Sequence, residues 1–229
     1  KLLFAQGQVD GSLRLLGVVA GSEPPPPQAP SALLLSGRIG LFLDDLSRAT
    51  GSFEQVHRRF PKAAQADSAD LFAASYLYEK LRFKEAADAF EKARQRVDNP
   101  QIKNRVLVGL ADAQRQSGQP AKALEHYNSL DQKLAATDPL LPRVRLGLAI
   151  ALGQTDRFTQ AAGLLQELIQ GDSSTPEAVA SLRELGALYR RRGAYGQAIG
   201  WYRRYLETAG GEVTDRTQVL FALAQIQTA

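Results

Sequence analysis

The chain has 229 residues, 44% of them hydrophobic and 23% charged, which is enough to bury a sizeable core and is a globular rather than a disordered composition. It contains no cysteine, which removes thiol catalysis, Cys-ligated zinc and a disulfide framework. Its 28 basic against 24 acidic residues give a net charge of +4, a mild excess that does not by itself point to nucleic acid, and its longest apolar stretch, residues 31–43, is interrupted by Arg38 and falls short of the roughly 20 residues a membrane span needs.

The chain is self-similar along its length. A small or slim residue with large apolar neighbours recurs at Ser12, Val56, Ala86, Ala123, Ala161 and Ala198, in steps of 44, 30, 37, 38 and 37 residues; the two uneven steps together make two of 37. Three residues before these anchors stand Val9, Phe53, Phe83, Pro120, Phe158 and Tyr195, and four after them Leu16, Phe60, Phe90, Tyr127, Leu165 and Tyr202. Offsets of minus 3, 0, plus 4 and plus 7 share one face of an α-helix, with the small residue where a second helix comes close. Five residues before the anchor, Gly7, Gly51, Gly118 and Gly193 read as turns, with Leu81 and Asp156 departing from glycine. Upstream of each turn runs a second apolar stripe, as in Leu148 and Ala149 or Leu185, Gly186 and Tyr189. Each unit therefore reads as helix, short turn, helix.

In chain order, residues 1–20 are expected to be the second half of a truncated repeat. Residues 21–30, with five prolines, read as a stiff extended connector in preference to a ligand for a proline-binding module. Residues 31–66 form an irregular repeat, its second helix ended early by Pro61; 67–103, 104–141, 142–178 and 179–213 are regular repeats; 214–229 is the first helix of a further repeat or a capping helix. Both termini interrupt a repeat and the chain has no methionine, so it is expected to be a window from a longer protein.

The best single unit, Leu182, Leu185, Gly186, Tyr189, Gly193, Tyr195, Ala198 and Tyr202, with Tyr205 in place of a small residue, resembles the tetratricopeptide repeat. The resemblance covers nearly the whole chain. It implies an all-α fold, a right-handed superhelical solenoid of helix-turn-helix hairpins whose concave groove is lined by the first helix of each unit, and it implies recognition of a protein or peptide segment. The co-chaperone branch of that family grips a terminal carboxylate with paired lysines and asparagines; Leu71 and Ser75 stand at the corresponding places, which argues against that ligand.

Chemistry has little to stand on. The two histidines, His57 and His126, sit off the helix-face columns and read as solvated, and Asp44 and Asp45, as adjacent helix residues, would point about 100° apart. Neither a phosphate-binding glycine loop nor metal-ligand spacing is present. No enzyme activity, cofactor, metal or small-molecule substrate is expected.

The resemblance places groove residues 18, 15, 11 and 8 positions before each anchor. In the units anchored from Val56 to Ala198 these positions hold Arg38, Arg48, Arg105, Arg115, Arg143, Arg183 and Arg190, with no lysine. Arginine suits sites where a planar fork grips carboxylates, so the expected partner is an acidic or carboxylate-bearing segment; the alternative is that these are solvated arginines paired with Asp45, Asp112 and Glu79. Residues 179–209 hold six arginines beside Trp201, a combination that can bind RNA, although most aromatics there occupy core columns. The expected function is a non-catalytic interaction scaffold, part of a larger bacterial envelope or secretion/export protein, at the periplasm or outer membrane rather than in the cytoplasm. A nucleic-acid-binding helical repeat and a recruitment domain of a larger enzyme or transporter are the alternatives.

Overall fold

The computed structural model describes residues 6–208 and 213–227; the start of the half-repeat expected over residues 1–20 falls outside them. Among the described residues there are twelve α-helices and no strand: α1 (Gln6–Gly21), α2 (Ala29–Phe42), α3 (Leu46–Arg59), α4 (Ala64–Glu79), α5 (Phe83–Arg96), α6 (Pro100–Gln116), α7 (Pro120–Lys133), α8 (Leu141–Gln154), α9 (Phe158–Gln170), α10 (Pro176–Arg191), α11 (Tyr195–Thr208) and α12 (Val213–Gln227). The chain is an all-α succession of helical hairpins, in two compact units, residues 1–113 and 114–229.

One turn recurs. Asp44, Leu81, Gly118, Asp156 and Gly193 all have φ between 59° and 83°. After each, the next backbone N–H donates five residues back, from Asp45 to Gly40, Arg82 to Leu77, Gln119 to Gln114, Arg157 to Leu152 and Ala194 to Tyr189. This is the six-residue closure that satisfies orphan carbonyls at a helix C-terminus. In every case the next helix starts two residues after the left-handed one. Glycine takes this conformation without cost and aspartate tolerates it, whereas Leu81 is held there at roughly 1–2 kcal/mol.

This turn corrects the register in the first unit. Gly51 lies inside α3 and Gly7 inside α1; the turn belongs to Asp44. The anchor five residues on is Ala49, fully buried, and not Val56, which lies two helical turns further along the same face. With Ala49 in place the anchors Ser12, Ala49, Ala86, Ala123, Ala161 and Ala198 step by 37 residues throughout, with a single step of 38. The α2–α3 hairpin is therefore regular. Asp45, expected inside a helix, is the N-cap of α3, its carboxylate accepting from the Arg48 backbone N–H at 3.0 Å. Pro30 sits in the first turn of α2, where a missing N–H costs nothing, so the connector is confined to residues 22–28.

In the first unit Phe53 and Phe90 are buried against glycine. A Cβ built on Gly37 would stand 2.3 Å from the Phe53 ring, and one on Gly109 would stand 2.3 Å from that of Phe90. Around Phe90, Leu71, Ala74, Ala86, Ala93, Val106 and Leu110 close the core, while Phe53 clusters with Ala49 and Ala69. In the second unit Tyr127 lies on Gly147 and Tyr202 on Gly186 in the same way, at 2.5 and 2.4 Å, and Val144, Leu148, Leu165 and Leu185 are buried in the same unit. Rings thus fill the space that a β-carbon would take.

Two glycine changes separate contact from propensity. Gly186→Ala drives a methyl into the Tyr202 ring and is expected to cost about 1–3 kcal/mol. Gly51→Ala, inside α3 with nothing within 4 Å of the added Cβ, is expected to stabilise by about 0.5–1 kcal/mol. Thermal melts of both variants check the signs; a lower melting temperature for Gly51→Ala would mean that residue 51 serves as a turn.

Candidate partner-binding faces of the first helices

The structure distributes the seven arginines unevenly. In the first unit, Arg38 lies on α2, exposed, with its guanidinium 4.8 Å from the centre of the Phe72 ring on α4. Arg105 is exposed on α6. Arg48 is not on a first helix: the corrected register puts it in α3, where its Nε pairs with Asp45 Oδ2 at 3.2 Å and serves the helix N-terminus. In the second unit Arg115 is half-buried, Arg143 is exposed near the start of α8, and Arg190 is exposed in the last turn of α10. Arg183 on α10 is half-buried and engages Glu184 Oε1 at 3.1 Å. Burial raises the Tyr202 phenol above its usual pKa, an effect opposed by its hydrogen bond with Arg190. Because α8 and α10 are neighbours, Arg143, Arg183 and Arg190 belong to adjacent first helices.

What the composition did not reveal is the shape of the first unit. Between α2 and α4 lies a pocket of about 300 Å³ lined by Leu41, Phe42, Phe72, Ser75, Tyr76 and Lys80, together with Glu79. A larger apolar groove, about 760 Å³, runs between α1 and α2. Phe42 borders both and is 78% exposed. The sequence signal for it is a phenylalanine directly before the Leu43-Asp44-Asp45 turn, which reads as core when the turn is placed seven residues too late.

The wall of the smaller pocket is fixed electrostatically. Asp44, at the α2–α3 turn, accepts hydrogen bonds from the Tyr76 hydroxyl and from Lys80 Nζ, the latter at 3.0 Å. The Tyr76 bond, then the Lys80 bond, holds the Asp44 carboxyl below its ordinary 3.8, and the same carboxylate raises both Tyr76 and Lys80. Another pair corrects the reading of His57 as solvated: its Nε2 is 3.0 Å from Asp70 Oδ1, both groups partly buried, so it links α3 to α4. Among the described residues no group of three or more His, Asp or Glu side chains is placed to hold a metal, and no helix is long and apolar enough to cross a membrane.

Comparison with protein families matches the tetratricopeptide repeat over residues 71–139 and 146–213. The chain belongs to the tetratricopeptide repeat family. Members of this family are typically protein–protein interaction scaffolds, and the fold here, paired helices around small anchors, is theirs. No curated protein matches the chain by sequence. Among solved structures it is similar to PilW, described as a widely conserved type IV pilus biogenesis factor, with a TM-score of 0.66 and 18% identity over 89% of this chain and 88% of that one. It is also similar to PilF of Pseudomonas aeruginosa, at TM-score 0.61 and 16% identity over 96% of each chain. YrrB, a tetratricopeptide repeat protein described as having an unusual peptide-binding site, aligns at TM-score 0.59 and 17% identity over 83% of this chain and 90% of that one. At these identities the likeness is one of fold.

The Asp44 cluster has a pH signature. A depressed carboxylate contributes stability in full above its unfolded value and loses it as pH falls through the lower folded value. The raised Lys80 contributes below its unfolded value of 10.5 and loses that contribution as pH rises further. Asp44→Asn, which keeps a side chain suited to φ > 0, is expected to melt below the wild type from about pH 5 to 9 and to converge with it toward pH 2. Parallel melts across that range check this; a constant gap would mean that the charge is not what ties the turn to α4.

Proposed function

We propose that this tetratricopeptide repeat protein is a non-catalytic scaffold that holds a segment of a protein partner on the exposed faces of its first helices, as part of a bacterial envelope or secretion/export assembly. The observation that carries the reading is the α2/α4 pocket: a concave site with an aromatic rim at Phe42, Phe72 and Tyr76, on the face where α2 and α4 present Arg38 and Lys80. Concavity, apolar walls and a few fixed polar groups are the features of a side-chain anchor site. In the second unit Arg143 and Arg190, both exposed on first helices and followed in α10 by Arg191, favour carboxylates on the segment bound there. The envelope setting draws on PilW and PilF, whose structures resemble this one, and the peptide ligand on YrrB.

The test is capture from native extract by the wild-type chain and by two variants, Ser75→Phe, which fills the pocket, and Arg143→Ala with Arg190→Ala, each first shown to keep the helical circular-dichroism spectrum and melting temperature. The same protein band is expected to be lost from both, and to survive nuclease treatment of the wild-type sample. Equal capture by all three forms would remove the groove from consideration, and loss after nuclease would transfer the function to nucleic acid. Raising salt is expected to weaken binding, but less steeply than for a phosphate backbone, where counterion release multiplies the effect.

A further inference from the structure

The second unit carries an edge of positive charge that its own fold leaves unneutralised. The turns at Asp156 and Gly193 are equivalent positions of successive hairpins, and the second reaches back onto the first. Arg192 lies over the Phe158 ring, its guanidinium carbon 4.6 Å from the ring centre, and Arg191 Nη2 stands 3.0 Å from where a Cβ would be on Gly153. Residues 152–160 and 189–197 together hold Arg157, Arg190, Arg191 and Arg192 against a single acid, Asp156.

In the first unit the same places are paired. Arg82, the N-cap of α5, donates from Nε to Glu85 Oε1 at 2.8 Å, and Lys80, one residue before the left-handed Leu81, pairs with Asp44 of the preceding turn at 3.0 Å. Arg157 takes the place of Arg82 as N-cap of α9, but three residues on stands Gln160, and the first turn of α9 holds no acid. Arg192 takes the place of Lys80 and Asp156 that of Asp44, yet Arg192 rests on the ring instead. Among the described residues Arg157, Arg191 and Arg192 form no ion pair, and all three are exposed. A cation at a helix N-cap is opposed by the helix dipole, so the charge of Arg157 works against α9.

We propose that this turn edge is a docking surface for an anionic phospholipid membrane, which it meets at the headgroups with Arg157, Arg191 and Arg192. Guanidinium forks grip phosphate oxygens, and clustered basic side chains are drawn to an anionic leaflet. Shape and chemistry favour a lipid surface over a peptide or a nucleic acid. A Cβ at Gly193 or Gly196 would meet nothing within 4 Å, so the edge is an open ridge without the walls that hold a peptide. Phe158 is covered by Arg192 and edged by Tyr189 at 5.2 Å, which closes its face to a stacking base. Tyr195, 42% exposed beside the second turn, pairs an apolar ring with a polar tip, the character of side chains that lie at headgroup depth. Membrane contact through this edge leaves Arg143 and Arg190 for the partner segment proposed above.

Co-sedimentation of the chain with vesicles of equal phosphatidylglycerol and phosphatidylcholine, and with vesicles of phosphatidylcholine alone, tests this. Binding to the anionic vesicles only is expected, and it should weaken as salt is raised. Arg157→Gln with Arg192→Gln is expected to lower the affinity about 25-fold, at about fivefold per charge. Lys84→Gln with Lys92→Gln removes the same charge from exposed positions of the first unit and should cost less than about threefold. Arg157→Ser separates binding from folding: serine caps α9, so the melting temperature is expected to rise while vesicle affinity falls about fivefold. Absence of binding to the anionic vesicles, or equal binding to the neutral ones, would overturn the proposal. Equal losses in the two double variants would do so as well, by reducing the effect to net charge. A single-stranded RNA or an oligoglutamate peptide held more tightly than the vesicles, and lost with Arg157→Gln and Arg192→Gln, would give the edge to that polyanion and overturn the membrane.

Discussion

The architecture depends on one backbone state. A residue with φ near +60° to +83° terminates each first helix, and its successor returns an N–H to the carbonyl five residues back. The chain is thereby reversed in the fewest residues, and the second helix always begins at the same offset. That offset puts the small anchor at the fourth helical position, with the large ring one helical turn beyond it. A slip of one residue would swing the anchor by about 100° and leave the ring without its cavity. The requirement is for the conformation rather than for glycine, so aspartate serves at 44 and 156 and even Leu81 is held there, 73% exposed.

From that turn comes a second constraint, the seating of a ring where no Cβ stands. The rings are supplied from one offset, four residues after the anchor, but the glycine comes from two. Gly37 and Gly186 lie in the first helix of the same hairpin as their rings, whereas Gly109 and Gly147 lie in the first helix of the next hairpin. A ring buried between two first helices can be relieved from either side, because close packing demands only that the volume be vacated somewhere along its edge. Where the hairpin's own position is alanine, as at Ala74 before Phe90, the next helix yields instead.

The fold was legible because helical hairpins announce themselves through periodicity, and four units kept step in Ala86, Ala123, Ala161 and Ala198. The register of the first unit was ambiguous for a physical reason: seven residues are nearly two helical turns, so Val56 faces the same way as Ala49 and a slip of seven leaves the stripe intact. Only the turn distinguishes the two registers. Asp44-Asp45, an αL-tolerant residue followed by an N-cap, was that signal, while Gly51 drew attention to the wrong place. The slip carried Arg48 onto a first helix. The pockets were not legible at all, since a groove is a relation between helices, and Phe42 in sequence is indistinguishable from a core residue. The His57–Asp70 pair was hidden likewise, its members being thirteen residues apart on consecutive helices.

Aromatic rings and positive charge are not alternatives here, because the cations lie on the rings. Arg38 covers Phe72 and Lys80 covers Tyr76 in the first unit; Arg192 covers Phe158 at 4.6 Å and Arg204 covers Trp201 at 5.2 Å in the second. A guanidinium stacked on a ring keeps the donors at its edge directed outward, so it shields apolar surface from water while remaining available to a carboxylate. The cost of binding falls accordingly. A carboxylate meeting such an arginine does not draw a long flexible side chain out of solvent, because the ring has already restricted it, and the charge pair stays at the rim rather than in a desolvated interior, where its own dehydration would offset the gain. Each contact is individually modest at such a rim. Under the function proposed above, discrimination would then rest on how many such contacts one segment can satisfy at the spacing that consecutive hairpins impose.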